Sequence, residues 1–450
     1  MSSPIAKLYG QKNDGPKYLG LAQAIRTAIE QGDPAPGDRL PPVRDLARQI
    51  GVTPGTVARS YALLSDQGIL RATVGRGTFV AYRDASGPAA RVSPEAFDLT
   101  VPRLPDMGQV ALIRGALFRV GDAATRDMLR NAAPGSLAAA RSAMLGWING
   151  DRLGGLEADD IVLTQGTQAA IMTVMHTVLR GARPVVLVEE LAHPGFRRAA
   201  ELLRAEVVAV PMDGKGIDPV ALAEIVQGSG ARLLCTAPEV HDPTGICTPE
   251  TRRAEIAAVA ARHGLHVLES DVARLGAPAG PGYRALLPEL GWYVSSLSVR
   301  LTPWPRAGIA IGPRVMRDGL SQAAAHGGAA MPGSVAALVA DILPREDAFA
   351  MRDRVRIEID RYMGAAADRL AAFSPAWRAG LPFLWLPMPP GRSAASLAAE
   401  ASDQSITVSP AASFALPGAY APEAVRLAVD AQASLACFTH AADRLAALLR

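Results

Sequence analysis

The chain has 450 residues, 49% hydrophobic and 20% charged, with a formal net charge of +3. That is an ordinary globular composition, which predicts two to three domains and at least one large core. Cys235, Cys247 and Cys437 lack metal-ligand spacing and exclude a disulfide framework, and neither a signal pattern nor an apolar run of membrane length is present, so a cytoplasmic protein without a membrane partner is expected. The charge is uneven. Residues 1–82 hold ten Lys or Arg against six Asp or Glu, a balance of +4, and the rest of the chain carries −1. Such asymmetry fits a nucleic-acid-binding head on a neutral body, or solubility alone.

Taken in chain order, Leu21, Ala24, Ile25, Ala28 and Ile29 recur at helical spacing until Gly32, Pro34 and Pro36 end the pattern. A second helix begins near Pro42, Val43 and Arg44, buries Leu46, Ala47 and Ile50, and stops at Gly51. Thr53 is suited to cap a third helix through Val57, Tyr61 and Leu64 to Gly68. Two short strands, Ile69 to Ala72 and Thr78 to Ala81, flank a turn at Gly75, Arg76 and Gly77 and form a wing.

From Leu40 to Val80 these residues resemble the GntR-type winged helix, with Gly51-Val52-Thr53, Thr56-Val57, Tyr61, and Gly75-Arg76-Gly77-Thr78-Phe79-Val80 in order. The resemblance implies a double-stranded DNA operator as partner. It also implies that Thr53, Gly55, Thr56 and Arg59 begin the recognition helix, that Arg44 reaches the backbone or a base edge, and that Arg76 approaches the minor groove. Pro54 stands where many relatives carry an arginine, so specificity leans on Arg44 and Arg59.

Residues 83–97 lack periodicity and read as a linker after a head of residues 1–82. Beyond it, apolar runs at Ile161 to Leu163, Val185 to Val188, Leu233 to Cys235 and Val267-Leu268 alternate with Ala-rich helical stretches, the pattern of a mostly parallel α/β sheet over residues 98–340. A charged helix around Arg352 to Leu370 and strands near Phe383 to Leu386 and Val425 to Val429 suggest a smaller α+β subdomain over residues 341–450.

Three segments of this body carry candidate chemistry. Thr164-Gln165-Gly166-Thr167-Gln168 follows a strand and opens a helix, which suits either a capped helix start or an anion site made of backbone amides. Arg426, on a short strand, suits either a structural ion pair or a carboxylate ligand. Ser296-Leu297-Ser298-Val299-Arg300-Leu301-Thr302-Pro303-Trp304-Pro305-Arg306 resembles the cofactor segment of the fold-type I aminotransferases, and with the two other segments it makes the body similar to that family. The resemblance implies a C-terminal fold-type I aminotransferase-like domain, a phosphate cradle of Gly166, Thr167, Ser296, Ser298 and Arg306, and Arg426 as the α-carboxylate site.

It also implies a lysine, the Schiff-base partner of pyridoxal phosphate, where this chain has Val299. An isopropyl group is no amine nucleophile. Only Lys7, Lys12, Lys17 and Lys215 are available, and arginine stays protonated. Lys215 lies in a turn of small polar residues and is expected to be exposed. For the aspartate and tyrosine that face the cofactor ring, the best register gives Ser270 and Val272; a shift of one residue returns Asp271. His193 replaces a stacking aromatic, His241 or Asp242 sits near the place where relatives contact the ring, and both histidines suit hydrogen-bonded loop positions equally well. A tyrosine from the partner subunit, expected near Arg130 and Asn131, is absent.

A GntR-type head on an aminotransferase-like body is the layout of the MocR-type transcription regulators. The expectation is therefore a homodimeric DNA-binding regulator with a catalytically inactive body. That body senses a small anionic effector held without a covalent bond between Arg306 with Ser296 and Ser298 at one end and Arg426 at the other. The effector could be a phosphorylated metabolite, pyridoxamine phosphate, pyridoxal phosphate or its preformed amino-acid adduct. A pyridoxal-phosphate-dependent enzyme and a body that only dimerises are the alternatives.

Overall fold

The computed structural model describes residues 8–9, 17–30, 34, 38–66, 69–73, 77–80, 96–123 and 137–450. They fall into two compact units, Met1–Ser93 and Pro94–Arg450.

In the first unit, α1 (Lys17–Glu30), α2 (Val43–Ile50) and α3 (Pro54–Asp66) precede β1 (Leu70–Thr73) and β2 (Gly77–Val80). Leu21, Ile25, Leu46, Val57 and Leu64 are fully buried at their shared centre. Gly51, at φ 70°, takes the left-handed conformation that ends α2. The wing pairs antiparallel from Leu70 with Val80 to Thr73 with Gly77, and Arg39 bridges to Phe79 on its other edge, a contact with no periodic signal. Ser60 Oγ, buried, donates to the carbonyl of Tyr18 at 2.8 Å and fixes α3 against α1.

The second unit is built on β3 (Phe97–Asp98), β4 (Ile161–Thr164), β5 (Val185–Glu189), β6 (Glu206–Val210), β7 (Met212–Asp213), β8 (Gly216–Ile217), β9 (Leu233–Thr236), β10 (His266–Ser270), β11 (Gly291–Ser296) and β12 (Gly308–Ile311). Seven of these form one sheet in the order β4-β12-β11-β10-β9-β5-β6, parallel except that β12 runs against both neighbours. Its strands are largely apolar because both faces are covered. Alternation sorts them: Val162, Val186, Val188, Leu268, Trp292 and Ala310 pack on the helices Thr167–Val178 and Arg317–His326. Ile161, Leu163, Leu187, Val267 and Tyr293 face the opposite layers.

The C-terminal layer holds β13 (Phe383–Pro387), β14 (Ile406–Thr407), β15 (Ser409–Pro410) and β16 (Ala424–Ala428), with the 24-residue helix Glu346–Arg369 and the helix Leu435–Leu448. β13 and β15 flank β16 antiparallel. The domain edges read from sequence need correction here. Phe97 is buried in β3, paired with β14, rather than in a linker, and Arg103 bridges to Asp430, so the chain crosses the C-terminal layer before entering the large sheet. The helix Gly333–Ile342 runs through the boundary placed at residue 340, and one apolar core extends from Phe97 to Leu449. Residues 81–95 lie outside the described residues.

A buried charge cluster locks the end of β10 to the loop after β11. Asp271 accepts from Arg274 Nε at 2.9 Å and Arg300 Nη2 at 2.6 Å, Asp151 pairs with the same two arginines at 2.7 and 2.9 Å, and Tyr293 Oη lies 2.9 Å from both carboxylates. Burial alone pushes the Asp271 carboxyl up, but the Arg300 and Arg274 guanidiniums outweigh it and hold the group at about 2 against an ordinary 3.8. Stability from Asp271 is therefore complete above pH 3.8 and lost as pH falls toward 2, about 2 kcal/mol in all. Asp271→Asn lowers stability at pH 7 by about 3–5 kcal/mol because it leaves two buried arginines short of a counter-charge. Urea melts at pH 7 and pH 3 check this: the gap between wild type and variant narrows at the lower pH, and equal melts at pH 7 contradict it.

Candidate functional site

The first candidate surface lies on the head. Thr53 Oγ1 accepts the amide of Thr56 at 3.3 Å and lies 2.9 Å from Thr56 Oγ1, which caps α3 as its sequence predicts. Thr53, Gly55 and Arg59 are exposed on the first turns of α3 and Thr56 is half-buried; Arg44 is exposed on the first turn of α2. The Arg59 guanidinium stacks over the Tyr18 ring at 4.1 Å, a partner the sequence reading missed, which holds the arginine in one orientation. Arg76 lies outside the described residues, as do Arg130 and Asn131.

The second candidate is a cavity of about 490 Å³ in the Pro94–Arg450 unit. It brings together Gly166, Thr167, His193, Ser296, Ser298, Arg306 and Arg426, residues drawn from five separate segments. At one end β4 delivers Gly166, at φ 83°, to the start of the helix Thr167–Val178, whose first amides have no acceptor within the helix. Gly308 on β12 sits against it: a Cβ there would lie 2.6 Å from the Gly166 carbonyl carbon, so the loop and the β12 strand meet only through glycine. This approach places Arg306 beside Gly166. Ser296 Oγ and Ser298 Oγ are 2.5 Å apart at the same end. Thr167 Oγ1 is buried without a hydrogen-bond partner, and among the described residues the Arg306 side chain has neither a hydrogen bond nor an ion pair. These donors line the same end of the cavity, an arrangement that can take an anion.

The middle of the cavity is largely apolar. Val299 lines it, and so do Ser270 and Val272, because alternation along β10 puts both on the face opposite Asp271. The register left open in the sequence is thereby decided: the acid is Asp271, and it belongs to the buried cluster with Arg274 and Arg300 rather than to the cavity. Glu189 reaches the floor, held by Thr236 Oγ1 at 2.6 Å and the Ala237 amide at 3.2 Å, with burial raising its pKa.

His193, exposed at the cavity, accepts the amide of Gly195 at Nδ1 at 3.1 Å, and partial desolvation lowers its pKa, both favouring the neutral imidazole. His241 is absent from the lining: its ring nitrogens engage Thr244 Oγ1 and the Leu191 carbonyl, each at 2.7 Å, as a hydrogen-bonded loop histidine. Lys215 is exposed on the β7–β8 hairpin and does not line the cavity.

At the far end the expectation for Arg426 is corrected. The arginine lines the cavity but is not free: Nη1 donates to both oxygens of Asp242, at 2.8 and 2.9 Å, and Nη2 donates to the Thr100 carbonyl. The ion-pair alternative is what the tertiary structure realises. Phe383 and Phe414 flank the guanidinium at 5.3 and 5.1 Å.

Among the described residues no helix is long and apolar enough to cross a membrane, and no group of three or more His, Cys, Asp or Glu could hold a metal ion.

Residues 17–80 match the family of bacterial regulatory proteins of the gntR type, and residues 119–445 match the aminotransferase class I and II family. The chain is 25% identical over 324 residues to the uncharacterized HTH-type transcriptional regulator YdeF of Bacillus subtilis, covering 69% of this chain and 68% of the relative. It is 26% identical over 308 residues to the HTH-type pyridoxine biosynthesis transcriptional regulator PdxR of Corynebacterium glutamicum, covering 65% of each. An archaeal alanine:glyoxylate aminotransferase superposes with a TM-score of 0.69 at 17% identity, over 91% of this chain and 96% of that one, which shows the fold-type I aminotransferase fold. Taken with the capped α3, its wing and the sheet that carries the Gly166 loop, these matches establish that the chain belongs to the aminotransferase class I and II family and joins that fold to a GntR-family DNA-binding domain, the MocR-type arrangement of a transcription regulator.

Proposed function

We propose that the protein is a cytoplasmic, homodimeric transcription regulator whose body is a non-catalytic sensor of a phosphorylated ligand. One observation carries the reading: the cavity keeps an anion-binding end of Gly166, Thr167, Ser296, Ser298 and Arg306, while Val299 supplies no amine at its centre. The phosphate of a pyridoxal-type group fits the unpartnered Thr167 Oγ1, the helix amides and Arg306. The rest of that group does not fit as a covalent cofactor, because Val299 cannot anchor it and Ser270, not an acid, faces its ring. A ligand held there is therefore bound reversibly. The pyridoxine-biosynthesis regulator among the relatives supports a regulatory rather than an enzymatic role.

Dimerisation is supported by the helix Gln109–Ala123, which exposes Val110, Leu117 and Phe118, the last at 79%. A dimer also lets two heads read paired half-sites. At the head, the exposed Arg44 and Arg59 supply the charge and the forked donors for duplex DNA.

Titration of the full-length protein with pyridoxal phosphate, followed by borohydride reduction and intact mass, tests the sensor reading. By peptide mapping wild type gains no adduct on a cavity residue, and Val299→Lys gains one at residue 299. A reduced adduct on wild type that peptide mapping places on a cavity residue means that another amine enters the cavity and that the body retains covalent chemistry. Arg306→Ala weakens binding of pyridoxamine 5′-phosphate, measured by calorimetry, by about tenfold or more, as loss of a charge-assisted bond to phosphate requires.

Arg44→Ala and Arg59→Ala each weaken binding to an operator selected from randomised duplexes by roughly 1–3 kcal/mol, with the dimer intact by light scattering. Wild-type affinity falls steeply with salt because phosphate contacts release counter-ions. Unchanged anisotropy titrations for both variants rule this docking surface out.

A further inference from the structure

We infer that Asp242 is a built-in counter-ion that fills the Arg426 end of the cavity, so that the site selects a phosphorylated ligand with no carboxylate at its far end. This rests on the reading of the cavity as a phosphate-ligand site and narrows the class of ligand. The two cationic ends differ in a way the sequence does not show. Arg306 is exposed and without an ion-pair partner among the described residues. Arg426 is 4% exposed and already neutralised: Asp242 accepts two hydrogen bonds from Nη1, the Thr100 carbonyl accepts from Nη2, and only Nε has no partner.

Phe383 and Phe414 on either side restrict the guanidinium to this pose, and the Asp242 side chain is itself only 17% exposed. A ligand carboxylate has two routes to Arg426, and neither is favourable. Beside Asp242 it adds a second negative charge to a pair that is already balanced, in a cavity with an apolar middle. In place of Asp242 it exchanges one set of charge-assisted hydrogen bonds for an equivalent one and leaves the displaced Asp242 unpaired next to it. Specificity thus comes from a repulsive element as much as an attractive one. The phosphate end is unaffected, so the favoured ligand is a phosphate monoester of a flat, uncharged or cationic ring system.

The test uses full-length protein and two probes that share the phosphorylated ring, pyridoxamine 5′-phosphate and N-(5′-phosphopyridoxyl)glycine, which adds only a carboxylate arm. By calorimetry, wild type binds pyridoxamine 5′-phosphate and gains no affinity from the carboxylate. Asp242→Asn, which keeps the shape and removes the charge, binds the glycine conjugate at least about tenfold tighter than wild type does, and its preference for the conjugate over pyridoxamine 5′-phosphate rises by as much. Wild type binding the conjugate about tenfold tighter than pyridoxamine 5′-phosphate overturns the inference while leaving the phosphate site standing, as does an Asp242→Asn variant that shows no such gain. Binding of neither probe to wild type overturns the inference together with the reading beneath it. If Asp242→Asn does not fold, the comparison of the two probes on wild type decides alone.

Discussion

The shape of the cavity depends on the buried pairing of Asp151 and Asp271 with Arg274 and Arg300. Two carboxylates and two guanidiniums balance, which is what makes four charges tolerable in a region closed to water. Their partners come from the segment after the helix Ala138–Trp147, from the turn beyond β10 and from the loop beyond β11. Holding these three together fixes where the β11 loop turns. Arg300 is drawn into the cluster while its neighbours Ser298 and Val299 are left facing the cavity. Asp271 is drawn in likewise, and the alternation of the strand then delivers Ser270 and Val272 to the opposite side.

Within that frame the cavity is asymmetric in its chemistry. One end offers an exposed arginine, two neighbouring hydroxyls, a buried hydroxyl without a partner and the amides of a helix start; the other offers an arginine whose charge is already met by Asp242. An anion entering such a site has one place to go. On the proposed reading, the apolar middle with Val299 would hold a ring by contact alone, which suits a ligand that comes and goes with its concentration. A regulator needs that reversibility, since a ligand shifts an equilibrium only by its difference in affinity for two states.

The head works on different physics. Its small core of Leu21, Ile25, Leu46, Val57 and Leu64 sets the angle between α2 and α3, and the capped start of α3 presents Thr53, Thr56 and Arg59 along one side. Tyr18 on α1, by stacking under Arg59, links the packing of the first helix to the orientation of an exposed charge on α3.

The head's elements and the strands β4, β5, β9 and β10 were legible in the sequence because local signals mark them: apolar spacing, a capping threonine, glycine stops and β-branched runs. The identity of Val299 was legible too, since it needs no coordinates; that this valine lines the cavity is seen only in the fold. The strands β11 and β12 went unread, and so did the joining of Phe97 to Ile406, a pairing across about 300 residues that leaves no periodic trace. Neither could local pattern decide between Ser270 and Asp271, or between a free and a paired Arg426. Those outcomes turn on which face of β10 meets the cavity and on Asp242, 184 residues from Arg426, arriving within 2.8 Å. Sequence determined which groups this protein possesses; tertiary structure decided which charges meet and cancel, because that depends on distances set only when the sheet and the C-terminal layer close together.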